Sequence, residues 1–138
     1  MSQFRFSYPI QVRYGDLDPQ WHVNNAHFLT FVEQARFAYL VELGLFDGHS
    51  FMDLGLIVAD VHMAYLAPIE LGPAIAVNVR TSRIGGKSLT FEYEIITQAD
   101  GAVLARAETV MVAYDYRAHM SIPVSEEWRK VIGAYDTL

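Results

Sequence analysis

The chain reads as an α+β protein, with an antiparallel sheet of about five strands and one long central helix. Three observations carry this reading. Residues 26–43 form a long apolar-rich run of good helix formers. The segments near both ends and through the middle alternate apolar and polar residues with a period of two, as half-buried strands do. Gly- and Pro-bearing turns separate those segments. A single sheet must cover its apolar face, and the 26–43 helix is the only element large enough to do so.

The elements follow in order. Phe4, Phe6, Tyr8, Ile10 and Val12 alternate with Arg5, Ser7, Gln11 and Arg13, which predicts a half-buried first strand. A polar loop leads into the helix. There Phe28, Leu29, Phe31, Val32, Ala35, Phe37, Ala38, Leu40, Val41 and Leu43 occupy most of the helical wheel, so burial on all sides is expected. Asn24 or Asn25 suits the N-cap and Gly44 the C-terminal stop. Residues 46–50 read as a loop. Strands are then expected from Leu56 to Tyr65, around Ile75 to Arg80, from Leu89 to Ile95, and from Val103 to Tyr116. Their turns are Leu71-Gly72-Pro73, Ile84-Gly85-Gly86-Lys87-Ser88 and Ala99-Asp100-Gly101, the last a good hairpin connector. Pro123 and Ser125 introduce a short terminal helix, Glu126 to Ala134. No repeat or linker interrupts the series, so residues 1–138 are expected to form one domain.

Composition narrows the function. Hydrophobic residues make up 52% of the 138 and charged residues 19%, which favours a compact core and self-association. The absence of cysteine excludes disulfides and thiolate metal sites and fits a reducing, cytoplasmic setting. Met1-Ser2-Gln3-Phe4-Arg5 lacks the apolar run of a signal peptide, and no stretch approaches the roughly 20 apolar residues of a membrane span. A net charge of −6 argues against a nucleic-acid partner. No Lys or Arg occurs from Phe37 to Val79, whereas Arg80, Arg83, Lys87, Arg106, Arg117, Arg129 and Lys130 crowd the second half. Such a cluster suits either solvated strand faces or an anionic ligand.

The loop Tyr14-Gly15-Asp16-Leu17-Asp18-Pro19-Gln20-Trp21-His22-Val23-Asn24-Asn25 holds the chemistry-bearing residues. It brings two carboxylates and a histidine from a strand end to a helix N-terminus. A carboxylate can act as a base for water or as a nucleophile. A helix N-terminus offers free backbone N–H groups to a developing oxyanion. On the residues alone, Asp18-Pro19 also fits a turn opener, Asp16 a cap, and His22 a structural imidazole. Glu33 and Arg36 fit a buried or interfacial ion pair. The histidines His22, His27, His49, His62 and His119 show no metal-ligand spacing, so no metal site is expected.

The Asp-x-Asp-Pro-x-x-His-Val-Asn-Asn loop, running from a first strand into a long helix, resembles the hotdog-fold acyl thioesterases. The likeness is to the 4-hydroxybenzoyl-CoA thioesterase-like group and, in the His-Val-Asn-Asn portion, to its long-chain acyl-CoA and plant acyl-carrier-protein thioesterase relatives. Later landmarks agree in order: Tyr65-Leu66-Ala67-Pro68, Gly72, Ile84-Gly85-Gly86-Lys87-Ser88 and Ile122-Pro123. The resemblance implies a hotdog fold, in which the antiparallel sheet wraps around the long central helix. It implies an acyl-CoA thioesterase with Asp18 as the catalytic carboxylate, Asp16 in support, His22 orienting the site or moving a proton, and the Asn25 amide on the thioester carbonyl. Where the plant relatives carry an Asn two residues after the Asp, this chain has Gln20.

Further expectations accompany that reading. Trp21, Phe28, Phe31 and Tyr65 are candidates for the acyl pocket, or plain core. Arg83, Lys87 and Ser88 are candidates for the phosphates or pantetheine arm of CoA. No cofactor is expected beyond the coenzyme A of the substrate. An acidic protein is a poor match for an acidic acyl-carrier protein, which favours CoA. A homodimer or homotetramer is implied, with sheets joined edge to edge and the site at the subunit interface. A hotdog hydratase or dehydratase, and a non-catalytic acyl-CoA-binding module, are the alternative functions.

Overall fold

The computed structural model describes residues 3–138. Its elements are β1 (Phe6–Ile10), α1 (Asn25–Glu42), α2 (Phe51–Leu54), β2 (Leu56–Tyr65), β3 (Ile75–Ile84), β4 (Ser88–Thr97), β5 (Val103–Asp115), β6 (Met120–Ser121) and α3 (Glu126–Asp136). The strands run antiparallel in the order β1-β3-β4-β5-β2, and the two-residue β6 pairs with β5. Bulges at Val58/Asp60 and Thr81/Arg83 bend the sheet where ladder pairing slips by one residue. This is the hotdog arrangement, with α1 lying in the concave face.

Alternation decides which side chains meet the helix. Ile75, Val77 and Val79 of β3 and Leu89, Phe91, Tyr93 and Ile95 of β4 are all buried. Ala105, Ala107 and Ala113 of β5 are small and also buried. Truncating a centre such as Phe91 to Ala would cost about 3–5 kcal/mol. On the helix, Phe28, Phe31, Val32, Ala35, Arg36, Tyr39 and Leu40 are buried. Their spacing of three and four residues makes one stripe.

That stripe corrects the expectation of a helix buried on all sides. Leu29, Phe37 and Ala38 are only partly covered and Val41 is exposed. The sheet is curved but covers only one side of α1, so an apolar flank stays open. β1 is also shorter than the Phe4–Val12 alternation, because its ladder with β3 runs only from Phe6↔Val79 to Ile10↔Ile75. α2 is an addition, a single turn closed by Gly55 at φ 71°. It sets Phe51 against Phe37 and Phe46. α3 runs two residues past its expected end.

Arg36 does not pair with Glu33. Its guanidinium donates to Tyr93 Oη at 3.3 Å, while Tyr93 Oη and Thr109 Oγ1 lie 2.8 Å apart. The helical spacing of three was compatible with a pair, but Arg36 turns toward the sheet. α3 is fastened to α1 through Asp136, whose carboxylate accepts from Tyr39 Oη and, at 2.9 Å, from the Thr81 amide. Burial, and then the Asp136 carboxylate, push the Tyr39 phenol far above its usual range.

The registers define two ends of the sheet. Ile10, Ile75, Thr97, Val103 and Tyr65 lie at one, and Ile84, Ser88, Val112 and Leu56 at the other. The loop after β1 therefore emerges beside the C-terminal end of β2. Among the described residues, no helix is long and apolar enough to cross a membrane.

Candidate active site

The loop between β1 and α1 is a small hydrogen-bonded structure. A single 3-10 turn spans Tyr14–Asp16. An antiparallel bridge then joins Leu17 to Val23. Within it the Asp18 amide donates to His22 O and the Trp21 amide to Asp18 O, both at 2.9 Å. The Gln20 amide donates to Asp18 Oδ1 at 2.9 Å, an Asx-type turn that Pro19 favours by presetting its own φ. The loop is also stitched sideways. Val23 donates to Ile69 O at 2.8 Å, and His22 bridges Glu70. Asn24 is the N-cap of α1, its side chain accepting from the Ala26 amide at 2.9 Å.

Asp16 is the buried anchor of this loop, only 1% exposed. One oxygen accepts from the Arg13 amide at 2.8 Å. The other accepts from the Arg13 guanidinium at 3.2 Å and lies 2.8 Å from His27 Nδ1. Burial alone would raise its pKa. The Arg13 amide, the His27 imidazole and the Arg13 guanidinium together outweigh burial and hold it below the usual carboxylate range.

Asp18, Gln20, His22, Val23, Asn25, Phe28 and Tyr65 share one cleft of about 420 Å³, walled on the far side by Leu66, Ala67 and Pro68. The Phe28 and Tyr65 rings meet edge to face at 4.9 Å. Tyr65 Oη donates to the Asn25 carbonyl at 3.1 Å. A carboxylate, an imidazole and the first turn of a helix thus face the same space. That set can take a proton from water and receive negative charge on backbone N–H groups.

Three of the expected residues lie elsewhere in this chain, and a fourth points away. Arg83, Lys87 and Ser88 sit around the β3–β4 turn, at the sheet end opposite Asp18. Arg129 of α3 ties that turn down, donating to the carbonyls of Gly85 at 2.6 Å and Gly86 at 3.1 Å. Trp21 adopts φ 64° and is 65% exposed, its ring edge to face with Tyr14 at 6.4 Å, outside the cleft. His27 was not among the expected site residues. No sequence signal marks it, because Asp16 and His27 are eleven residues apart and meet only through the fold of the loop.

The sequence profile of the thioesterase-like superfamily matches residues 12–132, and the chain belongs to that family. Among curated proteins it is similar to the long-chain acyl-CoA thioesterase FadM of Escherichia coli, 27% identical over 121 residues, covering 88% of this chain and 92% of that one. It is 30% identical to the acyl-CoA thioesterase YbgC of Haemophilus influenzae over 111 residues, covering 78% and 79%. Among solved structures, a Thermus thermophilus thioesterase complexed with coenzyme A and Zn superposes with a TM-score of 0.87 at 33% identity. That match covers 100% of this chain and 99% of that one.

Proposed function

We propose that this protein hydrolyses acyl-CoA thioesters to a free carboxylic acid and CoA. The observation that carries the reading is the convergence of Asp18, His22 and Asn25 in one cleft at the N-terminus of α1. The relatives named above as acyl-CoA thioesterases support the reaction class.

In this reading the thioester carbonyl oxygen points at the Asn25 amide. Asp18 takes a proton from water as the water oxygen attacks the carbonyl carbon. The tetrahedral oxyanion is held by the helix N-terminus and then collapses. The C–S bond breaks, CoA leaves as thiolate, and His22 or Asp18 returns the proton to the sulfur. Direct attack by Asp18 gives a mixed anhydride that water then cleaves, with the same products. Phe28 and Tyr65 flank the acyl group, and no group beyond the substrate's own CoA is required.

A second copy completes the site in this proposal. β2 is a ten-residue edge strand without proline. On its concave face Val58, Val61 and Tyr65 are all exposed. An unpaired edge with an apolar face is a pairing surface. Antiparallel pairing of two β2 strands about a twofold sets the Asp18 end of one chain against the Arg83, Lys87 and Ser88 end of the other. Cationic side chains then lie within reach of the CoA phosphates. The order of assembly beyond a homodimer is read by light scattering.

A thiol-release assay over acyl-CoAs from short to long chain, with aromatic acyl groups included, tests the proposal. Wild type should release CoA, and Asp18→Asn should lose about 10²–10⁴-fold in kcat with the fold retained. Tight CoA-ester binding without thiol release from any substrate would replace the hydrolase with a binding module or a lyase.

A further inference from the structure

We infer that His27 is a positioning residue that sets Asp18 against the oxyanion site, acting through Asp16. The inference rests on the hydrolase reading above.

Asp16 grips the start of α1 at two points. Its backbone carbonyl accepts from the Asn24 amide at 2.9 Å, and its carboxylate lies 2.8 Å from His27 Nδ1. Asn24 is the N-cap, and His27 is the third residue of the helix. The Asn25 amide, the proposed oxyanion donor, lies between these two attachments. On the other side of Asp16, two residues along, stands Asp18. The carboxylate is therefore linked to both halves of the proposed chemistry.

The chemistry of the pair fixes its direction. An ionised carboxylate only accepts, so His27 Nδ1 carries the hydrogen. Asp16 has one further side-chain partner, the guanidinium of Arg13, and one backbone partner, the Arg13 amide. Both belong to the loop itself. His27 is thus the side-chain bond that crosses from loop to helix. Without it, Asp16 meets the start of α1 only through the Asn24 amide; the Val23–Ile69 bond and the His22–Glu70 bridge still hold the far side of the hairpin, so the Asp16 side is the one freed to shift. His27 is not among the residues that line the cleft. Its effect is on the alignment of two groups that do.

Such a role has a kinetic signature. Misalignment of the carboxylate and the oxyanion donor lowers kcat, while the acyl and CoA contacts that set KM survive. His27→Ala should therefore lose about ten- to a hundredfold in kcat with KM within about twofold of wild type. His27→Asn, whose amide can donate from nearly the same place, should regain most of the loss. His27→Leu fills the volume without a donor and should behave like His27→Ala; it stands in if the alanine variant does not fold. Asp18→Asn is run beside them. A dead Asp18→Asn with full kcat in His27→Ala or His27→Leu overturns this inference alone, as does an asparagine variant no better than the alanine or leucine one. An active Asp18→Asn overturns the parent reading instead.

Discussion

Tyr65 reaches across the cleft to the main chain of Asn25, donating its hydroxyl at 3.1 Å to the carbonyl of the first helical residue. The last residue of the edge strand and the first of the central helix are thereby tied together. Tyr65→Phe removes this bond and keeps the ring against Phe28. Its stability should fall by about 1 kcal/mol or less, because the site is half open to water. Its kcat should fall severalfold. Denaturant titration and steady-state kinetics on the same preparation check both.

Asp16 supplies a pH dependence whose sign follows from its pKa. The folded state holds the carboxyl below its unfolded value, so its stabilisation is fully present above the usual carboxylate range. It is lost as pH falls from about 4 downward, through the lower folded value. Asp16→Asn should lower stability at neutral pH by about 2 kcal/mol and give a shallower acid limb in a plot of Tm against pH. Parallel acid limbs in the two proteins would assign acid sensitivity to other groups.

The Tyr39 hydroxyl is shared with Asp136 and Thr81 in a buried setting. Tyr39→Phe leaves that carboxylate short of a donor and loosens α3. A loss of about 1–3 kcal/mol is expected, read by chemical denaturation. Hydrogen exchange should show the loss of protection concentrated in residues 126–136. Turnover should change little, since this network is remote from Asp18.

The edge-strand proposal predicts its own disruption. Val61 is 40% exposed on the concave side of β2. Val61→Lys places a charge on the pairing face, as natural edge strands do to avoid association. Light scattering should report a monomer, and CoA-ester turnover should fall with it.

Much of the fold is legible in the chain because its cause is local. The Leu89–Ile95 alternation becomes β4 with those same residues inward. Asn24 caps α1 because its short side chain reaches a free amide. Other features need tertiary knowledge. The 26–43 wheel is apolar nearly all round, and only the sheet's reach decides which stripe is buried. α2 is one turn, too short for any period to register. Arg83, Lys87 and Ser88 belong to a cationic turn, but the strand registers put that turn far from Asp18 in the same chain. In the candidate site, Asp18, His22 and Asn25 are neighbours in sequence and stay together in space. Asp16 and His27, eleven residues apart, are joined only once the loop folds back on the helix.

The unusual backbone at Trp21 has a practical consequence. This indole stands in solvent three residues beyond Asp18, whereas Trp128 is partly buried against the core of the protein. Replacing Trp128 with Phe would leave a chain with a single tryptophan, on the candidate catalytic loop. Its emission maximum and quenching by iodide would then report the opening, ordering or occupation of that loop in real time, without a label.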